Sequence, residues 1–143
     1  MTIKSKKIYT LGTSNRDEKQ FIDILKHYNI NAIIDVRRFP TSRWEHFKKE
    51  KLQRLVEKES IRYFYLGKKL GGYRKEGYKK YTQSKFFQEG IKKLEKIALQ
   101  RNSTILCAEK FPWRCHRRFI AKALQDRGWK VTHIIDKKRV WKS

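Results

Sequence analysis

The sequence predicts a single α/β domain with a mainly parallel five-stranded sheet and helices on both faces. Three observations carry that prediction. Short apolar runs of strand length alternate with amphipathic segments at helical spacing. One of those runs, residues 32–36, is almost unbroken, as suits a strand covered on both faces. The 143 residues, with two prolines and seven glycines, hold no linker-like stretch, repeat or low-complexity segment, so one core is the economical reading of the whole chain.

The elements follow in order. Lys7-Ile8-Tyr9-Thr10-Leu11 reads as a first strand, closed by Gly12. Ser14 or Asn15 is placed to cap a helix in which Phe21, Ile24, Leu25 and Tyr28 recur at helical spacing, with Asp17 and Glu18 in its first turn. Residues 32–36 form the second strand. A basic, aromatic stretch after Pro40, with Arg43, Trp44 and Phe47, leads into a short helix carrying Leu52, Leu55 and Val56. The third strand covers residues 61–66, and residues 67–81, punctuated by Gly67, Gly71, Gly72 and Gly77, form the longest loop. A helix from Ser84 to Gln100 places Phe87, Ile91, Leu94 and Ala98 on one side. The fourth strand is Thr104–Ala108. A last helix runs from Cys115 to Arg127 with Phe119, Ile120, Ala123 and Leu124 inward, ended by Gly128, and residues 131–135 close as a fifth strand. Right-handed crossovers would distribute these helices over both sheet faces.

Charge narrows the function. There are 37 Lys+Arg against 14 Asp+Glu, a net +23, and such a surface gathers polyanions. A nucleic acid is therefore the first partner to expect, with DNA ahead of RNA. No apolar run reaches the length of a membrane span, and the basic start has no apolar region behind it, so neither a membrane protein nor a secreted one is expected. The lysines are spread over the chain rather than along one helix face, which argues against a membrane-surface helix. Two cysteines make no disulfide framework, and a reducing cytoplasmic home is the default. Cys107, Cys115, His116 and His133 lack zinc-site spacing, so no metal or other cofactor is expected.

In a parallel sheet, ligands bind beyond the carboxyl ends of the strands. Ser14 and Asn15 follow the first strand, where backbone N–H groups could hold a phosphate, or where they simply cap a helix. Asp35, Arg37 and Arg38 end the second strand. Asp35 is a candidate general base or an anchor for Arg37 or Arg43, and Glu109 beyond the fourth strand has the same two readings. Cys107, at the turn from strand to loop, is a candidate nucleophile or a small buried residue. His116 is a candidate proton shuttle or helix cap. Arg114, Arg117 and Arg118 sit at a helix start, against its dipole, and so hint at a bound anion. Rings interleave with the cations, in Arg43-Trp44, Tyr73-Arg74 and Trp113-Arg114, a mixture suited to bases that stack while cations hold the backbone.

These residues carry a family resemblance. Ile8 to Asn15, Ile34-Asp35-Val36-Arg37-Arg38-Phe39-Pro40 with Arg43, Leu70-Gly71-Gly72, Leu106-Cys107-Ala108-Glu109, Cys115-His116-Arg117 and Val131-Thr132-His133-Ile134 together resemble the family known as domain of unknown function 488. Thr13 departs from it, since many members carry His there. The resemblance implies a fold and a residue set but no reaction. A more distant likeness to rhodanese-type domains rests on Asp35-Val36-Arg37 and Cys107; a phosphatase-like loop would place Arg six residues after Cys107, where Trp113 stands.

The expectation is a nucleic-acid-binding α/β protein, acting without metal on a base or glycosidic bond. Asp35, Glu109, Cys107 and His116 are the catalytic candidates. Ser14, Asn15, Arg37, Arg43, Arg74 and Arg117 would hold phosphates, with Trp44 and Trp113 stacking on bases. The alternatives are a rhodanese-like or phosphatase-like enzyme using Cys107, and a non-catalytic nucleic-acid-binding module.

Overall fold

A computed structural model describes residues 6–39 and 44–142. The five expected strands are present as β1 (Lys7–Gly12), β2 (Ala32–Asp35), β3 (Arg62–Tyr65), β4 (Ser103–Cys107) and β5 (Lys130–Ile134), all paired in parallel. A sixth, β6 (Val140–Lys142), pairs antiparallel with β5 and gives the order β3-β2-β4-β1-β5-β6. No apolar run marks β6, because all three of its residues are exposed. It is set instead by a turn in which the Asp136 carboxylate accepts hydrogen bonds from the Lys138 and Arg139 amides and from Arg139 Nε.

The main helices are α1 (Glu18–His27), α2 (Lys49–Glu57), α5 (Lys85–Gln100) and α6 (Arg117–Asp126). Between β3 and α5 the expected loop contains two single turns, α3 (Gly67–Leu70) and α4 (Tyr78–Tyr81). The Tyr78 and Tyr81 hydroxyls fasten α4 to α3, each donating at 2.6 Å, to the Leu70 and Lys69 carbonyls.

The chain passes from β1 to β2 to β3 toward one edge of the sheet, and from β3 through β4 to β5 toward the other. Crossovers of one hand moving in opposite directions must lie on opposite faces. The core divides accordingly. Phe21, Leu25, Leu52 and Val56 of α1 and α2 pack with Ile33 and Leu106, while Phe87, Ile91, Ile120 and Leu124 of α5 and α6 pack with Ile34 and Ile105. Adjacent residues of β2 and β4 thus point to opposite cores, the period-two alternation of a doubly covered sheet.

One expected cap moves. Asp17, not Ser14 or Asn15, caps α1: its carboxylate accepts from the Gln20 amide and the Gln20 side chain accepts from the Asp17 amide. Thr13 and Ser14 are spent on the neighbouring strand, their amides donating to the Cys107 and Ala108 carbonyls, with Ser14 at φ 51°. None of the described helices is long and apolar enough to cross a membrane.

Candidate functional site

The carboxyl ends of the strands open into a cleft of about 700 Å³. The end of β2 lends it Arg37, Arg38 and Phe39. The segment after α3 lends Gly72, Tyr73 and Arg74; the end of β4 lends Cys107, Ala108 and Glu109; the turn before α6 lends Arg114, Cys115 and His116, with Tyr78 beside them. Four arginines and one carboxylate, Glu109, line the cleft, and of the four Arg37 is paired with Asp35, so the lining carries an excess of positive charge. Among the described residues no group of three or more His, Cys, Asp or Glu could hold a metal ion.

Tight backbone contacts shape this rim. A Cβ at Gly12 would lie 1.8 Å from the Glu109 carbonyl oxygen, and one at Gly67 would lie 2.0 Å from that of Arg37. Both positions need glycine because the backbone just beyond another strand, β4 for Gly12 and β2 for Gly67, occupies the space. Tyr73 has φ 60°, a costly conformation for an aromatic residue, and its ring is 85% exposed. Arg38 Nη1 donates to the Tyr73 carbonyl at 3.0 Å, and Phe39 lies 5.9 Å from the Tyr73 ring, so two exposed rings stand at the mouth.

The floor holds a pair of thiols. Cys115 Sγ lies 2.8 Å from Cys107 Sγ and 3.6 Å from His116 Nδ1, and the Arg117 amide donates to it at 3.5 Å. His116 Nε2 is 3.1 Å from the Val36 carbonyl, which can only accept; Nε2 therefore carries a proton, and Nδ1 is left to take one from Cys115. Cys107 is enclosed completely, with no surface from which to solvate a charge. The negative charge thus belongs on Cys115, with Cys107 donating to it. That hydrogen bond is the main cause holding the Cys115 thiol far below its usual range; His116 and the Arg117 amide add to it, while burial works in the opposite direction. Cys107 is pushed well up, by burial first and then by its bond to Cys115. Cys115 also stands two residues before α6, at the positive end of the helix dipole.

Arg117 acts against the rise at Cys107, its charge lowering that thiol. It is fully buried, and its Nη2 donates to the Lys110 carbonyl at 2.7 Å, but Nε and Nη1 have no partner among the described residues. Its charge acts on Cys107, on His133 and on Arg16, none of them a carboxylate. A buried cation without a counter-charge is costly, and a thiolate on the cysteine pair lowers that cost.

Other sequence candidates fall elsewhere. The Asp35 carboxylate is fully buried and fully engaged: Oδ1 accepts from the Arg37 amide at 3.1 Å and from Nε at 2.9 Å, and Oδ2 accepts from Arg37 Nη2 at 2.9 Å and from the Tyr63 hydroxyl at 2.5 Å. Arg37 Nη1 donates to the Phe47 carbonyl at 2.7 Å. Asp35 and Arg37 therefore brace the end of β2. Arg74 is half-committed, with Nε and Nη2 on the Gly71 and Lys68 carbonyls and its guanidinium 4.0 Å from the Tyr81 ring. Glu109 and Arg114 are exposed in the cleft.

Asn15 lines a separate depression with Arg16, Lys110 and Asp136, and Ser14 is its neighbour; neither lines the cleft. Trp113 is exposed and stacks on Phe111 at 5.0 Å, outside the cleft lining, as is Trp44. Arg43 lies outside the described residues.

The cleft therefore brings together Cys107, Glu109, His116, Arg37 and Arg74 from the expected set. It adds Cys115, Arg38, Arg114, Phe39 and Tyr73. Cys115 had a signal in the sequence: a Cys-His pair directly before a helix is a thiol beside its own base and a helix dipole.

No curated protein and no solved structure matches the chain. The family model for the domain of unknown function DUF488 matches residues 17–124, from α1 into α6 and through all of the cleft lining, and the chain belongs to that family.

Proposed function

We propose that the protein is a thiol-dependent enzyme acting on a nucleotide unit of a nucleic acid, with Cys115 as nucleophile. The observation that carries this reading is the placement of Cys115 Sγ on the floor of an arginine-lined cleft, between Cys107 Sγ at 2.8 Å and His116 Nδ1 at 3.6 Å. A thiolate needs a proton acceptor, a donor that stabilises its charge and access to substrate, and Cys115 has all three. Arg38, Arg74 and Arg114 would hold phosphate, and the Phe39 and Tyr73 rings would stack on the base. The net charge of +23 favours a polyanion over a free small molecule.

In the reaction, a bond forms from Cys115 sulfur to the electrophilic atom of the nucleotide as the bond to the leaving group breaks. The proton given up by Cys115 to His116 Nδ1 passes to that leaving group. Glu109, the carboxylate of the cleft, then activates the water that hydrolyses the covalent intermediate. Asp35 enters as a brace for Arg37. The reading takes the cytoplasm as its setting, because the chemistry requires both thiols reduced.

The test is incubation of the reduced protein with normal and damaged DNA and RNA oligonucleotides, scored for base release, strand cleavage and a mass adduct on Cys115. Turnover by the wild type that Cys115→Ser abolishes supports the reading. Turnover that survives Cys115→Ser, or none on any oligonucleotide, sinks it.

A further inference from the structure

The two thiols also have the arrangement of a redox couple. We propose that Cys115 and Cys107 form an attacking and a resolving thiol, through which the cleft reduces a hydroperoxide and closes into a reversible disulfide. This inference uses the thiol of the reading above but none of its substrate contacts.

Three features carry it. The sulfurs lie 2.8 Å apart, so closing to a bond of about 2.05 Å takes a movement of only about 0.8 Å. The two thiols differ in access, since Cys115 is 9% exposed on the cleft floor and Cys107 1%. An oxidant entering the cleft meets Cys115 first, and Cys107 waits behind it. The segment between them, with its single turn at Pro112–Arg114, lies at the protein surface around Trp113 and Arg114 and has room to adjust.

The chemistry balances with a hydroperoxide as the oxidant. The Cys115 thiolate attacks the terminal oxygen and the O–O bond breaks; sulfur is oxidised to the sulfenic acid, and the departing hydroxide, or the alkoxide of an organic hydroperoxide, leaves as water or alcohol with the proton held on His116 Nδ1. Cys107 sulfur then attacks Cys115 sulfur, the S–O bond breaks, and the sulfenic oxygen leaves as water with the Cys107 proton. The buried Arg117 guanidinium, whose charge acts on Cys107, eases ionisation of the resolving thiol. The disulfide removes the nucleophile, so oxidation silences any thiol reaction in the cleft until a dithiol reductant restores it.

The experiment treats reduced full-length protein with one equivalent of hydrogen peroxide, with and without dimedone, and reads intact mass and peptide maps. The wild type is expected to lose two hydrogens, to yield a Cys107–Cys115 linked peptide, to resist dimedone and to recover with dithiothreitol. Cys107→Ser is expected to hold the sulfenic acid and take dimedone at Cys115; Cys115→Ser is expected to leave Cys107 unmodified. Two free thiols in treated wild type, further oxidation of Cys115 without a linked peptide, or dimedone on Cys107 in Cys115→Ser overturns the proposal. If the disulfide forms but no oligonucleotide is turned over, the nucleotide reading alone falls; turnover without a disulfide removes only the redox couple.

Discussion

At the scale of single residues, position within a hydrogen-bond network separates chemistry from bracing. Cys107 and Cys115 are the same side chain, yet one is enclosed and pushed toward the thiol form while the other is held as the anion. Replacing Cys107 by Ala removes the donor to Cys115 and should move the acid limb of Cys115 alkylation upward in pH, a shift measurable with iodoacetamide, while leaving the nucleophile in place. Asp35 is the opposite case. Asp35→Asn leaves Arg37 buried at 5% exposure without its counter-charge and should cost about 3–5 kcal/mol in urea unfolding. Their place at strand ends makes Asp35, Glu109 and Cys107 catalytic candidates alike, because a sequence names a carboxylate or a thiol but not the donors that surround it. Arg117 is the harder case: the stripe α6 buries is 117, 120, 121 and 124, whereas the apolar spacing points to 119, 120, 123 and 124, and a cation at the helix start reads as a phosphate ligand.

Among elements, periodicity was a sound guide where the pattern was long. The apolar side of α5, Phe87, Ile91, Leu94 and Ala98, is the buried side in the structure, and Ser84 caps it by accepting from the Phe87 amide. Periodicity failed where three residues or one turn decided the outcome, as in β6, α3 and α4. The start of α1 was misread because Ser14 and Asp17 are both acceptable caps, and only the pairing of Thr13 and Ser14 with the β4 end excludes the first. That pairing gives a test at the same scale. Gly12→Ala drives a methyl group into the Glu109 carbonyl at 1.8 Å. It should cost about 1–3 kcal/mol in thermal unfolding and slow alkylation at Cys115, since the displaced loop also carries the thiol pair. An unchanged melting temperature would contradict the packing of β1 on this loop.

For the whole molecule, charge and pH provide the readouts. Binding of single-stranded DNA should weaken steeply with salt, and Arg114→Ala should reduce the log–log slope by about one while leaving thermal stability unchanged. Arg74→Ala should reduce the slope and also lower thermal stability, because Arg74 holds the Gly71 and Lys68 carbonyls. His133 is 1% exposed and hydrogen-bonded to Thr10; burial, aided by the Arg117 charge, lowers its pKa from 6.5 to about 4. Between those values the unfolded chain takes a proton that the native one refuses. Stability should therefore fall by up to about 3 kcal/mol as pH drops through that window and stay level above it. His133→Gln should flatten the fall in urea titrations.

The α/β class, the five parallel strands and a cleft at their carboxyl ends were all legible from the chain, because a parallel sheet must put its strand ends together. Which thiol on that rim is charged was not, since it depends on a contact between residues 107 and 115 across a turn. The pH dependence of iodoacetamide alkylation, resolved by peptide mass spectrometry on the reduced native protein, tests that contact and the reading built on it. The account predicts modification of Cys115 at a rate that is level from about pH 6 to about pH 9, with Cys107 untouched. A Cys115 rate that climbs through the ordinary thiol range near about pH 8.5, or modification of Cys107 first, would contradict it.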